Sequence, residues 1–387
     1  MEGNKEEEQQ QEIWSWGAGT DGQLGTGKLQ DEHTPQLLHS LSSFGPISFL
    51  SCGGAHVIAL TPGGRVLSWG RGASGQLGHG EMVNGLQPKV VQALEGFAIT
   101  HVSAGWNHSG FVSETGCLFT CGDGSFGQLG HGDCDSRCSP EKVAYFDSYK
   151  VEQIACGMRH SLVLVKGGQV YGFGSGKRGQ LGISVDRVRS LSLPQATIGL
   201  DNIKIMSVYA NGDHSAALCA AGEVHVWGRG FSGSNDVYIP QLVTPHYFRQ
   251  AALGWNHILL LAADGEVFML GGYGHGILNG AQMAAQMEQM CEKPDEGGLQ
   301  KFHGLTGKKI LQIAAGAEHS ALIIDDGSVM TWGWGEHGQL GLGDTTNQTG
   351  PHAVCFNRTF NPQHLVPRVF CGSGFTYVVG MPADSKT

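Results

Sequence analysis

The chain has 387 residues, a formal net charge of −10 at pH 7 and 40% hydrophobic residues, enough apolar material for a core of domain size. The acidic balance excludes a nucleic-acid surface, which needs clustered Lys and Arg to displace counterions, and no apolar run approaches the ~20 residues that span a bilayer. Glycine is the outlier, at 62 of 387 residues or about 16%, against a usual ~7%.

Residues 1–12 are rich in Glu and Gln and read as an acidic disordered tail. They carry neither an apolar h-region nor an Arg-rich amphipathic pattern, so neither a secretory signal nor a transit peptide is expected. The ten cysteines are then expected as free thiols in a reducing compartment, cytoplasmic or nuclear. In that setting the sequons at Asn347 and Asn357 carry no weight.

From residue 13 onward one stretch recurs. Trp16 to Gly25 reads WGAGTDGQLG, Trp69 to Gly78 WGRGASGQLG, Cys121 to Gly130 CGDGSFGQLG, Phe173 to Gly182 FGSGKRGQLG and Trp332 to Gly341 WGWGEHGQLG. Trp227 to Gly233 keeps the first half, and Leu270 to Gly274 a trace. The seven starts are 53, 52, 52, 54, 43 and 62 residues apart, a period that marks a repeat architecture. A second landmark runs in phase: a Gly-rich turn ending in His56, His108, His160, His214, His257 or His319, with Phe375 in the seventh copy. Each is followed by a short apolar run, a Gly turn and the run ending in aromatic-Gly, which is a hairpin signature. Further strands are expected at Ile99–Ser103, Val151–Ala155, Ile203–Tyr209 and Ile310–Ala314, with others entered at Pro35, Pro88 and Pro140.

Four short antiparallel strands per repeat, seven times, predict an all-β fold: a seven-bladed β-propeller over residues 13–380. The chain enters and leaves the pattern in mid-repeat. One blade is therefore expected to combine N- and C-terminal strands, closing the ring and removing sheet edges. The short fifth interval has lost GQLG. The long sixth carries an insert near 275–300, where residues 281–292 predict a surface helix before Pro294, with Met283, Met287 and Met290 on one face. Residues 381–387 form a short tail.

Several motifs invite sharper readings. G-x-G-x-x-G begins at Gly17, Gly70, Gly122, Gly174, Gly228 and Gly333. Six copies inside a β repeat lack the helix and acidic residue of a dinucleotide site and read as tight turns needing φ > 0. Cys117, Cys121, Cys134 and Cys138 form two C-x-x-x-C pairs. Cys121 occupies a slot held elsewhere by Trp, so thiols without metal are expected. The six histidines lie on separate blades, too far apart to share an ion, and are expected to donate to backbone. No catalytic residue, metal or cofactor is predicted.

The recurring GQLG and Gly-His turns resemble the regulator of chromosome condensation family, over roughly residues 13 to 380, most nearly the plant-type members that include a UV-B photoreceptor. The resemblance implies a seven-bladed propeller, but one propeller hosts unrelated roles. The family includes a guanine-nucleotide exchange factor for the small GTPase Ran, a photoreceptor with tryptophan chromophores, and interaction modules.

The two residues before each histidine vary while the glycines around them do not, which is the pattern of a binding face on a rigid scaffold. The predicted rim comprises Trp106, Asn107, Met158, Arg159, Asp213, Trp255, Asn256 and Glu318. Three functions follow. The first is a non-enzymatic protein-binding module or regulatory scaffold, with aromatic and Arg anchors. The second is an exchange factor for a small GTPase, for which Asp213 matches the acidic residue the resemblance implies and Glu318 is a second carboxylate. The third is a UV-B photoreceptor. Against it, Trp106 and Trp255 lie three blades apart, Ala317 sits where a neighbouring Trp is needed, and only Met381 to Thr387 follow the propeller. The expected partner is a protein, with no nucleic acid or membrane, and the expected state is a monomer.

Overall fold

The computed structural model describes residues 11–382 except 185, 187, 232–234, 244–246, 273–298, 303, 304, 306 and 357–364. The insert at 281–292, residues 1–10 of the expected N-terminal tail and 383–387 of the C-terminal one lie outside the described residues, while Glu12, Met381 and Pro382 belong to strands.

Each repeat folds into one sheet. The first strands are β1 (Glu12–Gly17) and β2 (Glu32–Leu37). Blade 1 follows with β3 (Phe49–Cys52), β4 (His56–Leu60), β5 (Val66–Gly70) and β6 (Gly85–Val90). Blade 2 holds β7 (Ile99–Ala104), β8 (His108–Ser113), β9 (Leu118–Gly122) and β10 (Arg137–Lys142). Blade 3 holds β11 (Val151–Cys156), β12 (His160–Val165), β13 (Val170–Ser175) and β14 (Ser190–Ala196). Blade 4 holds β15 (Ile205–Asn211), β16 (His214–Cys219), β17 (Val224–Gly228) and β18 (Val237–Val243). Blade 5 holds β19 (Phe248–Leu253), β20 (His257–Ala262), β21 (Val267–Gly271) and β22 (Leu299–Lys301). Blade 6 holds β23 (Ile310–Ala315), β24 (His319–Ile324), β25 (Val329–Gly333) and β26 (Gln348–Ala353). The chain ends with β27 (Leu365–Cys371) and β28 (Phe375–Pro382).

The seventh sheet has the order β2-β1-β28-β27. Ile13 pairs with Val379 and Ser15 with Tyr377, so the two ends of the chain are knitted into one blade. The expected closure by the two ends is what the structure has, and the edges that remain are the short outer and inner strands of the separate blades.

Register follows from one glycine. In every blade the His slot on the second strand stands opposite the Gly of aromatic-Gly on the third. His56 faces Gly70, His108 Gly122, His160 Gly174 and His319 Gly333, while Phe375 faces Gly17 in the closing blade. Gly70 has φ 99°, and a Cβ there would sit 2.4 Å from the Ala55 carbonyl oxygen. No L side chain fits that position.

Apolar side chains fill the seams between blades, giving one cluster per seam. Blades 7 and 1 meet through Ile13, Leu50, Val57, Trp69, Phe375 and Tyr377. Blades 3 and 4 meet through Leu162, Leu164, Ile205, Val208 and Trp227. In six blades the second strand is buried throughout, so its sequence does not alternate apolar with polar residues.

Candidate protein-binding rim

The histidines correct the expectation that they bond backbone. Five reach across a seam to a side-chain hydroxyl of the next blade. His56 Nε2 is 2.9 Å from Ser109 Oγ, His108 from Ser161, His160 from Ser215, His257 from Ser320 and His319 from Thr376 Oγ1. Four of those hydroxyls donate onward to the backbone carbonyl of a GQLG glutamine: Ser109 to Gln76, Ser161 to Gln128, Ser215 to Gln180 and Thr376 to Gln339. A hydroxyl that donates there must accept from the ring, which fixes the Nε2–H tautomer. Nδ1 of His56, His108, His160 and His319 is buried with no bonding partner among the described residues, as a neutral imidazole allows. Burial drives His56, His160 and His319 down to about 3 and His108 and His257 to about 4.

The exceptions obey the same rule. The residue facing His214 across its seam is Ile258, which has no hydroxyl, and His214 Nε2 instead bonds the Trp255 carbonyl. The residue facing Phe375 is Val57, and an apolar ring meets an apolar side chain. These buried histidines are structural ties between blades.

The turns carrying the rim residues form two concentric circles. On the inner one, six backbone N–H groups donate to the neighbouring blade: Gly54 to Gly105, Trp106 to Gly157, Met158 to Gly212, Trp255 to Ala317, Ala317 to Ser373 and Ser373 to Gly53, while the Gly212 N–H bonds the Asn211 side chain beside it. The next residues, including Asn107, Arg159, Asp213, Asn256 and Glu318, form the outer circle. Their carbonyls accept from a third set of residues just after aromatic-Gly: Asp123, Ser175, Arg229, Gly272 and Trp334. The sequence pattern before each histidine did not single out that third circle. Its signal is the position after aromatic-Gly, which varies as freely as the other two.

At the hub the structure brings together two residues expected to lie apart. The rings of Trp106 and Trp255 meet across the axis, with centroids 4.9 Å apart and planes at 51°. Separation by three blades along the ring is not separation in space, because the central channel is narrow. Each indole rests on a glycine of the preceding blade. A Cβ on Gly54 would lie 2.8 Å from Trp106 Cε3, and one on Gly212 3.2 Å from Trp255 Cδ1. Below the pair lies a channel cavity of about 190 Å3, lined also by Ser51, Ser103, Met158 and Asn211. Both rings are half-buried. Neither indole N–H has a protein acceptor among the described residues, whereas Trp16, Trp69 and Trp227 bond Gln339, Gln23 and Gln180 carbonyls.

The remaining predicted residues divide by chemistry. Asn256 Nδ2 donates to Glu318 Oε1 at 3.3 Å. Gln180 Nε2 donates to Asp213 Oδ1 at 3.0 Å. Arg159 is exposed, with its guanidinium carbon 5.0 Å from the centre of the Phe126 ring. Among the described residues no group of three His, Cys, Asp or Glu is placed to hold a metal, and Cys121 is buried while Cys134 is exposed. No described helix is long and apolar enough to cross a membrane.

A closed seven-bladed ring with hydroxyl-tied seams, GQLG turns and a variable rim defines a class of propeller scaffold. The chain belongs to the RCC1-like domain family, whose pattern matches residues 12–378. It is 31% identical over 390 residues to the secretion-regulating guanine nucleotide exchange factor of Mus musculus, covering 95% of this chain and 83% of that protein. It is 31% identical over 343 residues to the ultraviolet-B receptor UVR8 of Arabidopsis thaliana, covering 86% of this chain and 74% of that one. The crystal structure of Prp20p from Saccharomyces cerevisiae superposes with a TM-score of 0.80 at 25% identity, covering 98% of this chain and 93% of Prp20p.

Proposed function

We propose that this protein is a non-enzymatic protein-binding regulator that grips its partner with the rim around Trp106 and Trp255. The carrying observation is the hub itself. Two half-buried indoles in contact, each with an N–H unengaged among the described residues, sit at the centre of one face. Large aromatics at the middle of a face, ringed by polar groups, are the usual anchors of a protein interface. The rim residues present no nucleophile–base pair of the kind that covalent catalysis needs. Affinity capture with the wild type and a Trp106→Ala/Trp255→Ala variant tests this. Partner capture is expected to fall at least about tenfold while the melting temperature changes little. Equal capture by the two proteins, or a collapse in stability that accounts for the loss, overturns the assignment.

A second reading is exchange on a small GTPase. The similarity to the secretion-regulating exchange factor across 95% of the chain favours it, as does the binding of Gsp1p studied for Prp20p. Exchange factors expel nucleotide by binding rather than by covalent chemistry, and Asp213 and Glu318 supply rim carboxylates. Unchanged release of labelled GDP across a panel of small GTPases would rule it out.

A further inference from the structure

Among the described residues, one rim sector of this acidic chain gathers three cations. Between blades 3 and 4, outside the aromatic hub, a notch of about 290 Å3 is lined by Arg159, Ser175, Lys177, Arg178, Gln180 and Asp213. Three cations and one carboxylate line it, with Asp236 paired to Arg178 at its edge, in a protein with 34 acidic and 24 basic residues.

The notch is held in shape. Arg159 stacks over Phe126, and its carbonyl accepts from the Ser175 N–H at 2.7 Å. Among the described residues no carboxylate lies within ion-pair distance of the Arg159 guanidinium. Arg178 is tied at its outer end to Asp236, 3.2 Å away, and its backbone N–H donates to Gln180 Oε1 at 2.9 Å. The Gln180 amide in turn holds Asp213 Oδ1. Asp213 Oδ2 has no protein donor among the described residues. Arginine forks anchored in this way lose little freedom on binding an anion.

We propose that this notch receives an acidic side chain from a protein partner, an Asp or Glu on the same segment whose large apolar residue seats on the Trp106–Trp255 hub. The inference rests on the protein-binding reading above and adds the partner's chemistry to it. Two features select a peptide carboxylate over a phosphate. Asp213 repels a dianion that offers only acceptors, but it suits a ligand bringing its own N–H, which a peptide does. Continuity is the second feature: the Met158 N–H on the Arg159 turn bonds the Gly212 carbonyl beside Asp213, so the notch opens directly off the hub circle. The net charge of −10 disfavours unspecific attraction of anions elsewhere on the surface.

The test is selection of random dodecapeptides displayed on phage against the immobilised full chain. Pools from the wild type, Arg159→Glu/Arg178→Gln and Trp106→Ala/Trp255→Ala are compared. The wild type should enrich peptides with Asp or Glu beside a large apolar residue. A synthetic consensus peptide should lose about tenfold in affinity, read by fluorescence anisotropy, against the charge variant. Arg159→Ala, which only truncates an exposed side chain, should show a smaller loss in the same direction and guards against misfolding of the double variant.

An apolar, acid-free pool that vanishes with the tryptophan variant would sink the notch assignment and leave the rim assignment standing. Failure of the wild type to enrich any peptide would sink both. An acidic pool bound equally by the charge variant overturns the notch, as does tighter binding of a phosphoserine peptide or single-stranded DNA than of the Glu consensus peptide.

Discussion

Acid should unfold this protein far above the pH at which its carboxylates titrate. The cause is the circle of buried histidines. His56, His160 and His319 are held near 3, and His108, His214 and His257 near 4, in each case chiefly by burial. A folded value below the unfolded 6.5 means that the fold requires the neutral ring. The unfolded chain therefore takes up protons first as pH falls. The stabilisation is whole above about pH 6.5 and drains away between there and the folded values of 3 to 4. At pH 5.5 each unfolded histidine is largely charged and each folded one neutral, a difference of about 1.4 kcal/mol per ring and roughly 8 kcal/mol for six. That matches the whole stability of an ordinary domain, ~5–15 kcal/mol. Urea titrations followed by tryptophan fluorescence at pH 7.5, 6.5, 5.5 and 5.0 should show the midpoint collapsing over the lower two steps. A variant copying the native Phe375–Val57 seam, His160→Phe with Ser215→Val, should take up about one proton fewer on unfolding at pH 5. A midpoint that stays level from pH 7.5 to 5.5 would refute the argument, because it would mean the rings are charged or solvated in the native state.

Two further outcomes concern single contacts. Tyr377 Oη accepts from Trp69 Nε1 at 3.0 Å and donates to the Gln23 carbonyl at 2.7 Å, in the seam where the closing blade meets blade 1. Tyr377→Phe should cost about 1–3 kcal/mol in denaturant unfolding, and a loss near zero would show that water or a shifted Trp69 replaces the phenol. Gly54→Ala should push Trp106 off its seat, since the added methyl would lie within 2.9 Å of the ring and of the Trp106 carbonyl. Partner capture should weaken even though both indoles remain, and unchanged capture together with an unshifted Trp emission spectrum would show that the seat is dispensable.

The blade count and the strand pattern were legible in the chain because each is a local signal repeated seven times, and the ring closure because the two ends enter and leave that pattern in mid-repeat. Aromatic-Gly must stand opposite the His slot, and Gly70 or Gly122 can be nothing else there. Even the odd copies make sense in one dimension once the rule is known: Ile258 and Val57 lack a hydroxyl where the preceding blade offers His214 or Phe375. The rule itself was not readable, since it joins residues 53 to 63 positions apart across a seam. The turn pattern alone proposed the eight rim residues as one face. Which of them touch was decided by the diameter of the closed ring, a property of all seven blades packed together. That diameter brings Trp106 onto Trp255 from the far side of the channel and sets Arg159, Arg178 and Asp213 around one notch. Local periodicity fixes what each turn offers, but only the packed circle sets the distances between turns.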